Sequence, residues 1–151
     1  MDCPACQRIA RARAGANPSF ICELRESLVV LHDHQPYEGW CVLLLKDHAE
    51  HLHLLEPERQ ARLWLDVADV ARAVVSAMTP QGVRRVNYEC LGNQLAHVHW
   101  HVIPRYSPPL DPDPANVVWT RPAAELTRAV DPQRRSELIL SLKRAGLEFG
   151  G

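Results

Sequence analysis

At 151 residues the chain has the size of one globular domain and can bury roughly two-thirds of the surface its unfolded form exposes. Hydrophobic residues make up 46% and charged residues 23%; a formal net charge of -1 gives no overall field for gripping a polyanion, which excludes nucleic acid as an expected partner and leaves phosphate recognition to a local site. No apolar run has signal-peptide length or approaches the ~20 residues of a membrane helix, so no membrane partner is expected and the protein reads as cytoplasmic.

The chain opens on Cys3-Pro4-Ala5-Cys6. Five cysteines is an odd number for a reducing compartment, so this pair reads as a metal or redox motif rather than part of a disulfide framework. A thioredoxin-like role requires the motif at a helix start after a strand, whereas these cysteines open the chain. Cys22, Cys41 and Cys90 sit among apolar neighbours and read as small core residues.

Residues 27–31 are apolar and β-branched, residues 32–39 are turn-prone, and residues 40–45 form a second apolar run, which predicts two adjacent strands. A histidine-bearing stretch follows with His48, His51 and His53. Glu56-Pro57-Glu58 then starts a helix. Trp64, Val67, Ala68, Ala71, Val74, Val75 and Met78 recur at helical spacing until residues 79–82 stop it, so one face of this long helix is expected on a sheet. Residues 82–90 and 97–104 predict two antiparallel strands joined by a turn over residues 91–94. Four prolines between 108 and 114 make residues 107–116 a surface loop, one able to close over a ligand. Asp131-Pro132 starts a C-terminal helix that ends near Gly146 or Gly150. Residues 1–151 thus read as a single domain, with 107–151 a loop plus a C-terminal helical extension.

Within His97-Val98-His99-Trp100-His101-Val102-Ile103, strand alternation puts the three imidazoles on one face and Val98, Trp100 and Val102 on the other, which meets the helix. A solvated strand face, a metal site and catalysis at phosphorus are the three available readings. A facial-triad metal site wants a carboxylate that this run lacks, whereas a neutral imidazole is a good nucleophile near pH 7.

The run resembles the signature of the histidine triad (HIT) family, His-φ-His-φ-His-φ-φ with φ apolar, and Pro104-Arg105-Tyr106 is similar to the usual continuation; the resemblance extends over residues 3–106. It implies an α+β fold with a five-stranded antiparallel sheet, one long helix packed on it and a C-terminal helix. It also implies a homodimer and a nucleotidyl hydrolase or transferase acting on a small-molecule nucleotide. Carried over residue by residue, His99 is the nucleophile that becomes nucleotidylated and His101 the contact to phosphate. Asp33 corresponds to the carboxylate that accepts from the ribose, and Asn87 to the polar residue that helps hold the phosphate or the active histidine. Gly92, Asn93 and Gln94 stand where the family commonly has Gly-Gln-Ser/Thr, and Trp40 where it often has a histidine or a small residue. Zinc-containing members imply a structural zinc on Cys3, Cys6, His48 and His97, with His51 as the alternative third ligand. His32 and His34 read as exposed turn residues.

Three function classes follow. The first is an enzyme cleaving at the α-phosphate of nucleoside phosphoramidates or dinucleoside polyphosphates through a nucleotidyl-histidine. The second is a zinc-stabilised nucleotide-binding module with little turnover, and the third a hydrolase or oxygenase using the three histidines as metal ligands.

Overall fold

A computed structural model describes residues 3–147. Pro4, at the first position of helix α1 (Pro4–Arg13), needs no intrahelical N–H partner, and Cys3 occupies the N-cap. Strands β1 (Phe20–Glu23), β2 (Ser27–Leu31) and β3 (Cys41–Leu45) follow, then the long helix α2 (Pro57–Ala77), strands β4 (Arg85–Glu89) and β5 (His99–Arg105), one helical turn α3 (Ala123–Leu126), and helix α4 (Pro132–Arg144). The strands form one antiparallel sheet in the order β1-β2-β3-β5-β4, which is the expected α+β architecture.

Alternation along β3 and β5 sorts the core into two layers. Cys41, Leu43 and Val102 face α2, where Val67, Val70, Ala71 and Val74 meet them. Val42 and Leu44 face the other way, toward Ala5, Ile9 and Ala12 of α1. Each fully buried aliphatic side chain contributes roughly 1.5–3 kcal/mol, so both layers hold the sheet in place. Asp66, fully buried on α2, accepts from the backbone N–H groups of Arg25, Glu26 and Ser27 at 3.2, 2.9 and 3.0 Å and from the Ser27 hydroxyl at 2.8 Å. The β1–β2 turn is thereby pinned to the helix.

Several expectations shift. Both α1 and β1 are elements that periodicity did not predict, and the two N-terminal cysteines stand at a helix start after all. β4 is shorter than residues 82–90, and β5 begins at His99: the Val98 carbonyl still accepts from Leu45 at the end of β3, but its N–H donates to the Ala49 carbonyl beyond that strand. On α2, Trp64 and Val75 are exposed, and Leu63 and Val70 are buried in their place. Cys22 and Cys41 are fully buried, but Cys90 is exposed at the end of β4. Asp131 caps α4 by accepting from the N–H groups of Gln133 and Arg134. The helix ends before Gly146, whose φ of +114° lies in the left-handed region; Gly150 lies outside the described residues. The 107–116 loop lines neither of the two cavities that flank helix α1. Buried Arg105 ties it down through Asp111 (2.7 Å) and the carbonyl oxygens of Asp113 and Asn116. Among the described residues no helix is long and apolar enough to cross a membrane.

Candidate functional site

His97 lies just outside the β5 ladder. Its Nε2 is 2.8 Å from the Leu45 carbonyl oxygen, so that nitrogen carries the proton and donates, leaving the Nδ1 lone pair free. Nδ1 faces Cys3 Sγ at 3.4 Å, Cys6 Sγ at 3.7 Å and His48 Nδ1 at 3.3 Å; Cys6 Sγ is 3.7 Å from His48 Nδ1. All four donor atoms fall within 4.8 Å of one another. A tetrahedral ion with bonds of about 2.0–2.3 Å has ligand–ligand edges of roughly 3.3–3.8 Å, so the cluster already has the dimensions of a Cys2His2 metal site. Burial, and then the adjacent Cys3, raises the Cys6 pKa above its ordinary value, a bias that a divalent cation reverses by binding thiolate. His48 is the histidine brought to the cysteines. His51 is stacked with His53 instead.

His99 is the first residue of the ladder, opposite Leu44, and is 7% exposed. Its Nδ1 lies 2.6 Å from the His97 carbonyl oxygen, which accepts that ring proton and leaves Nε2 with the lone pair. His99 and His101, rings 5.2 Å apart, share the wall of a cavity of about 550 Å³ with Arg8, Val42, Leu44, Asn93 and Gln94. His101 pairs with Val42 on one side and Glu89 on the other. The Trp40 indole N–H donates to His101 Nδ1 at 3.0 Å, so the His101 proton is on Nε2. Burial, followed by His99 and His32 nearby, pushes the His101 pKa down to about 3, and the ring is neutral at physiological pH.

A built turn delivers Trp40. Buried Gln35 donates from Nε2 to the carbonyl oxygens of His32 and Trp40, both at 2.9 Å, and accepts from the Gly39 N–H at 2.9 Å. Gly39 has φ +95°, and a Cβ there would stand 2.9 Å from Met78 Cγ, so glycine is required. His32 stacks on Trp40, centroids 4.2 Å apart, and lines the cavity; it is not an exposed turn residue. Burial holds its pKa below the ordinary histidine value. Trp119 closes this aromatic wall at 5.6 Å from Trp40 and 5.7 Å from His101, its N–H donating to the Glu89 carboxylate.

Of the residues expected to hold nucleotide, Asn93, Gln94 and His101 line the cavity with His99. Gly92 is not among the lining residues, and a Cβ placed on it meets no protein atom within 4 Å. Asn87 pairs with Ile103, two ladder pairs from Glu89 on the same face, and is off the cavity wall. Asp33 sits beside the cavity, held in a two-pronged ion pair by Arg8 at 2.8 and 2.9 Å. Sequence reasoning missed Arg8, His32 and Trp119. For Trp40 a departure from the family pattern was the only signal.

The profile of the HIT domain family matches residues 14–108. No protein of curated function matches the sequence. Among solved structures, a histidine triad protein of Sinorhizobium meliloti is 20% identical, with a TM-score of 0.72 over 89% of this chain and 92% of its own. A histidine triad protein of Marinobacter aquaeolei is 22% identical, with a TM-score of 0.69 over 89% and 92%. A Zn-bound histidine triad family protein of Mycobacterium smegmatis is 22% identical, with a TM-score of 0.58 over 95% of each chain. At these identities the likeness is one of fold.

Proposed function

The chain belongs to the HIT domain family, whose members are generally nucleotide-binding hydrolases and transferases, and from that premise we propose that His99 cleaves nucleoside phosphoramidates or dinucleoside polyphosphates at the α-phosphate. One observation carries this reading: the His97 carbonyl fixes the His99 tautomer with the Nε2 lone pair available at the cavity that His101 shares.

His99 Nε2 attacks phosphorus, an N–P bond forms, and the P–N or P–O bond to the leaving group breaks with its electron pair on the departing atom, which takes a proton from solvent. Nδ1–H stays on the His97 carbonyl, which stabilises the positive charge the ring gains. Water, which gives up a proton to solvent, or an acceptor phosphate then attacks phosphorus; the N–P bond breaks and its electrons return to Nε2. Neutral His101 donates from Nε2–H to a non-bridging oxygen, with Asn93 and Gln94 alongside, as an oxyanion-type contact. Asp33 accepts from the ribose. Cys3, Cys6, His48 and His97 fit a structural zinc; four protein ligands fill a tetrahedron, and the ion would join the start of α1 to the start of β5.

The molecule is further read as a homodimer through edge strand β4, where exposed Tyr88 lies 6.0 Å from exposed Trp64 of α2, which also meets Trp100 at 5.6 Å.

The test is release of AMP from an adenosine phosphoramidate and from a diadenosine polyphosphate, with the wild type and with His99→Ala. The variant is expected to lose at least about 10³-fold in kcat while still binding AMP. Wild-type turnover by His99→Ala overturns the nucleophile assignment; AMP binding without turnover by the wild type replaces the enzyme with a binding module.

A further inference from the structure

A second cavity of about 410 Å³ adjoins the first, and Arg8 and Pro4 line both. Arg8 and Arg11 reach it from α1, Arg135 from α4, and Asn17, Ser19 and Asp33 complete the wall. Arg8 is committed to Asp33. Among the described residues no carboxylate pairs with Arg11 or Arg135, and Arg135 Nε is buried with no hydrogen-bond partner. Among the described residues, three guanidinium groups against one carboxylate leave a net of two positive charges on the wall of this half-open cavity. Unpaired guanidinium groups brought together from two separate helices repel one another, and they are the groups best matched to phosphate oxygens.

We propose that this second cavity is a subsite for a phosphate ester on the ribose 2′ or 3′ hydroxyl of the nucleotide. The inference rests on the reading of Asp33 as the ribose acceptor. Asp33 borders the second cavity, so a ribose held by one hydroxyl on its carboxylate presents the neighbouring hydroxyl to Arg11 and Arg135. A phosphate monoester carries close to two negative charges at pH 7, which matches the excess there. The Arg8 fork neutralises Asp33 and removes the repulsion that a lone carboxylate would exert on such a phosphate. All three arginines lie outside the family-matched residues 14–108, on the two helices that flank them.

Isothermal titration calorimetry of the full-length, metal-loaded protein compares AMP, adenosine 3′,5′-bisphosphate, adenosine 2′,5′-bisphosphate and ATP, with the wild type and an Arg11→Ala/Arg135→Ala variant whose melting temperature is checked. One of the bisphosphates is expected to bind at least about tenfold more tightly than AMP. Which one it is tells a 3′ ester from a 2′ ester. In the variant that advantage disappears while AMP affinity stays within about twofold. Equal binding of AMP and both bisphosphates overturns the subsite and leaves the nucleotide reading standing. So does an advantage that survives in the variant, or an arginine-dependent gain seen with ATP alone. Failure of AMP and all its relatives to bind overturns the nucleotide reading and the subsite with it.

Discussion

His97 and His101 are the same residue type four positions apart, and alternation assigns them to the same face, yet their surroundings make them chemically opposite. His97 stands before the ladder, gives its Nε2 proton to the Leu45 carbonyl and turns an Nδ1 lone pair to Cys3, Cys6 and His48. His101 stands within the ladder, has its Nδ1 lone pair occupied by the Trp40 indole and keeps a proton on Nε2. Between them His99 has the reverse tautomer of His101, set by a backbone carbonyl. A strand period determines where an imidazole sits; one hydrogen bond at its rear nitrogen determines whether it ligates, attacks or donates.

The hardest test of this division is Cys6→Ser, which strikes only the His97 end. Loss of a structural metal belongs to the largest single-site effects, about 4 kcal/mol or more, and in a domain of this size that lowers Tm by roughly 10 °C. Metal content should fall from one ion per chain to none by elemental analysis, while folded protein at low temperature still releases AMP. Wild-type metal content and Tm would sink the metal assignment; complete loss of turnover in folded, metal-free protein would break the separation between the two ends.

Most of the scaffold was legible because its signals are local. Residues 27–31 and 40–45 are continuous apolar runs, and the 3.6 period of residues 56–78 holds although Trp64 and Val75, which it assigns to the core face, are exposed. α1 escaped because its buried stripe is Ala5, Ile9 and Ala12, two of them too small to mark an apolar face; β1 escaped because it is only four residues long. The cavity was half legible. The triad and the 91–95 turn announce themselves by pattern, but Arg8, His32 and Trp119 reach the site from α1, from the end of β2 and from beyond the proline-rich loop, and only tertiary packing brings them there. Register too escapes sequence reading: Asn87 lies two ladder pairs from Glu89, the residue opposite His101.

A change of intermediate size is expected from Trp40→Phe, which keeps the ring buried but removes its N–H. Trp40 is 1% exposed and Asn93, Gln94 and His99 stay in place, so AMP affinity should move by no more than about threefold. Without a donor at Nδ1, His101 can move its proton there and turn a lone pair toward the phosphate, and kcat should fall about 100-fold, the lower end of the scale for one lost oxyanion donor. ¹⁵N shifts of the His101 ring report the tautomer directly. An unchanged tautomer with unchanged kcat would show that the indole only fills space. Metal content should not change, which is what distinguishes this variant from Cys6→Ser.

The smallest effect is a pH dependence of stability, and it too separates the two ends. His101 is held down to about 3 and His32 also lies below its ordinary value, in each case chiefly by burial. In the unfolded chain both rings titrate near 6.5, so between that value and the folded ones the unfolded state binds more protons. Stability is therefore full above about pH 6.5 and falls as the pH drops below it. The slope is at most ~1.4 kcal/mol per pH unit for each imidazole. Urea titrations between about pH 6.5 and 5 exclude the carboxylates, which in unfolded chains stay ionised until lower pH, and read His101 and His32 together with His97, whose pKa burial also lowers. Trp40→Phe should flatten the slope, since a freed Nδ1 accepts a proton more readily, whereas Cys6→Ser should leave the His101 and His32 contribution intact. A wild-type slope of zero over this window, or a rise in stability toward acid, would mean that these rings gain no more protons on unfolding than they already carry when folded.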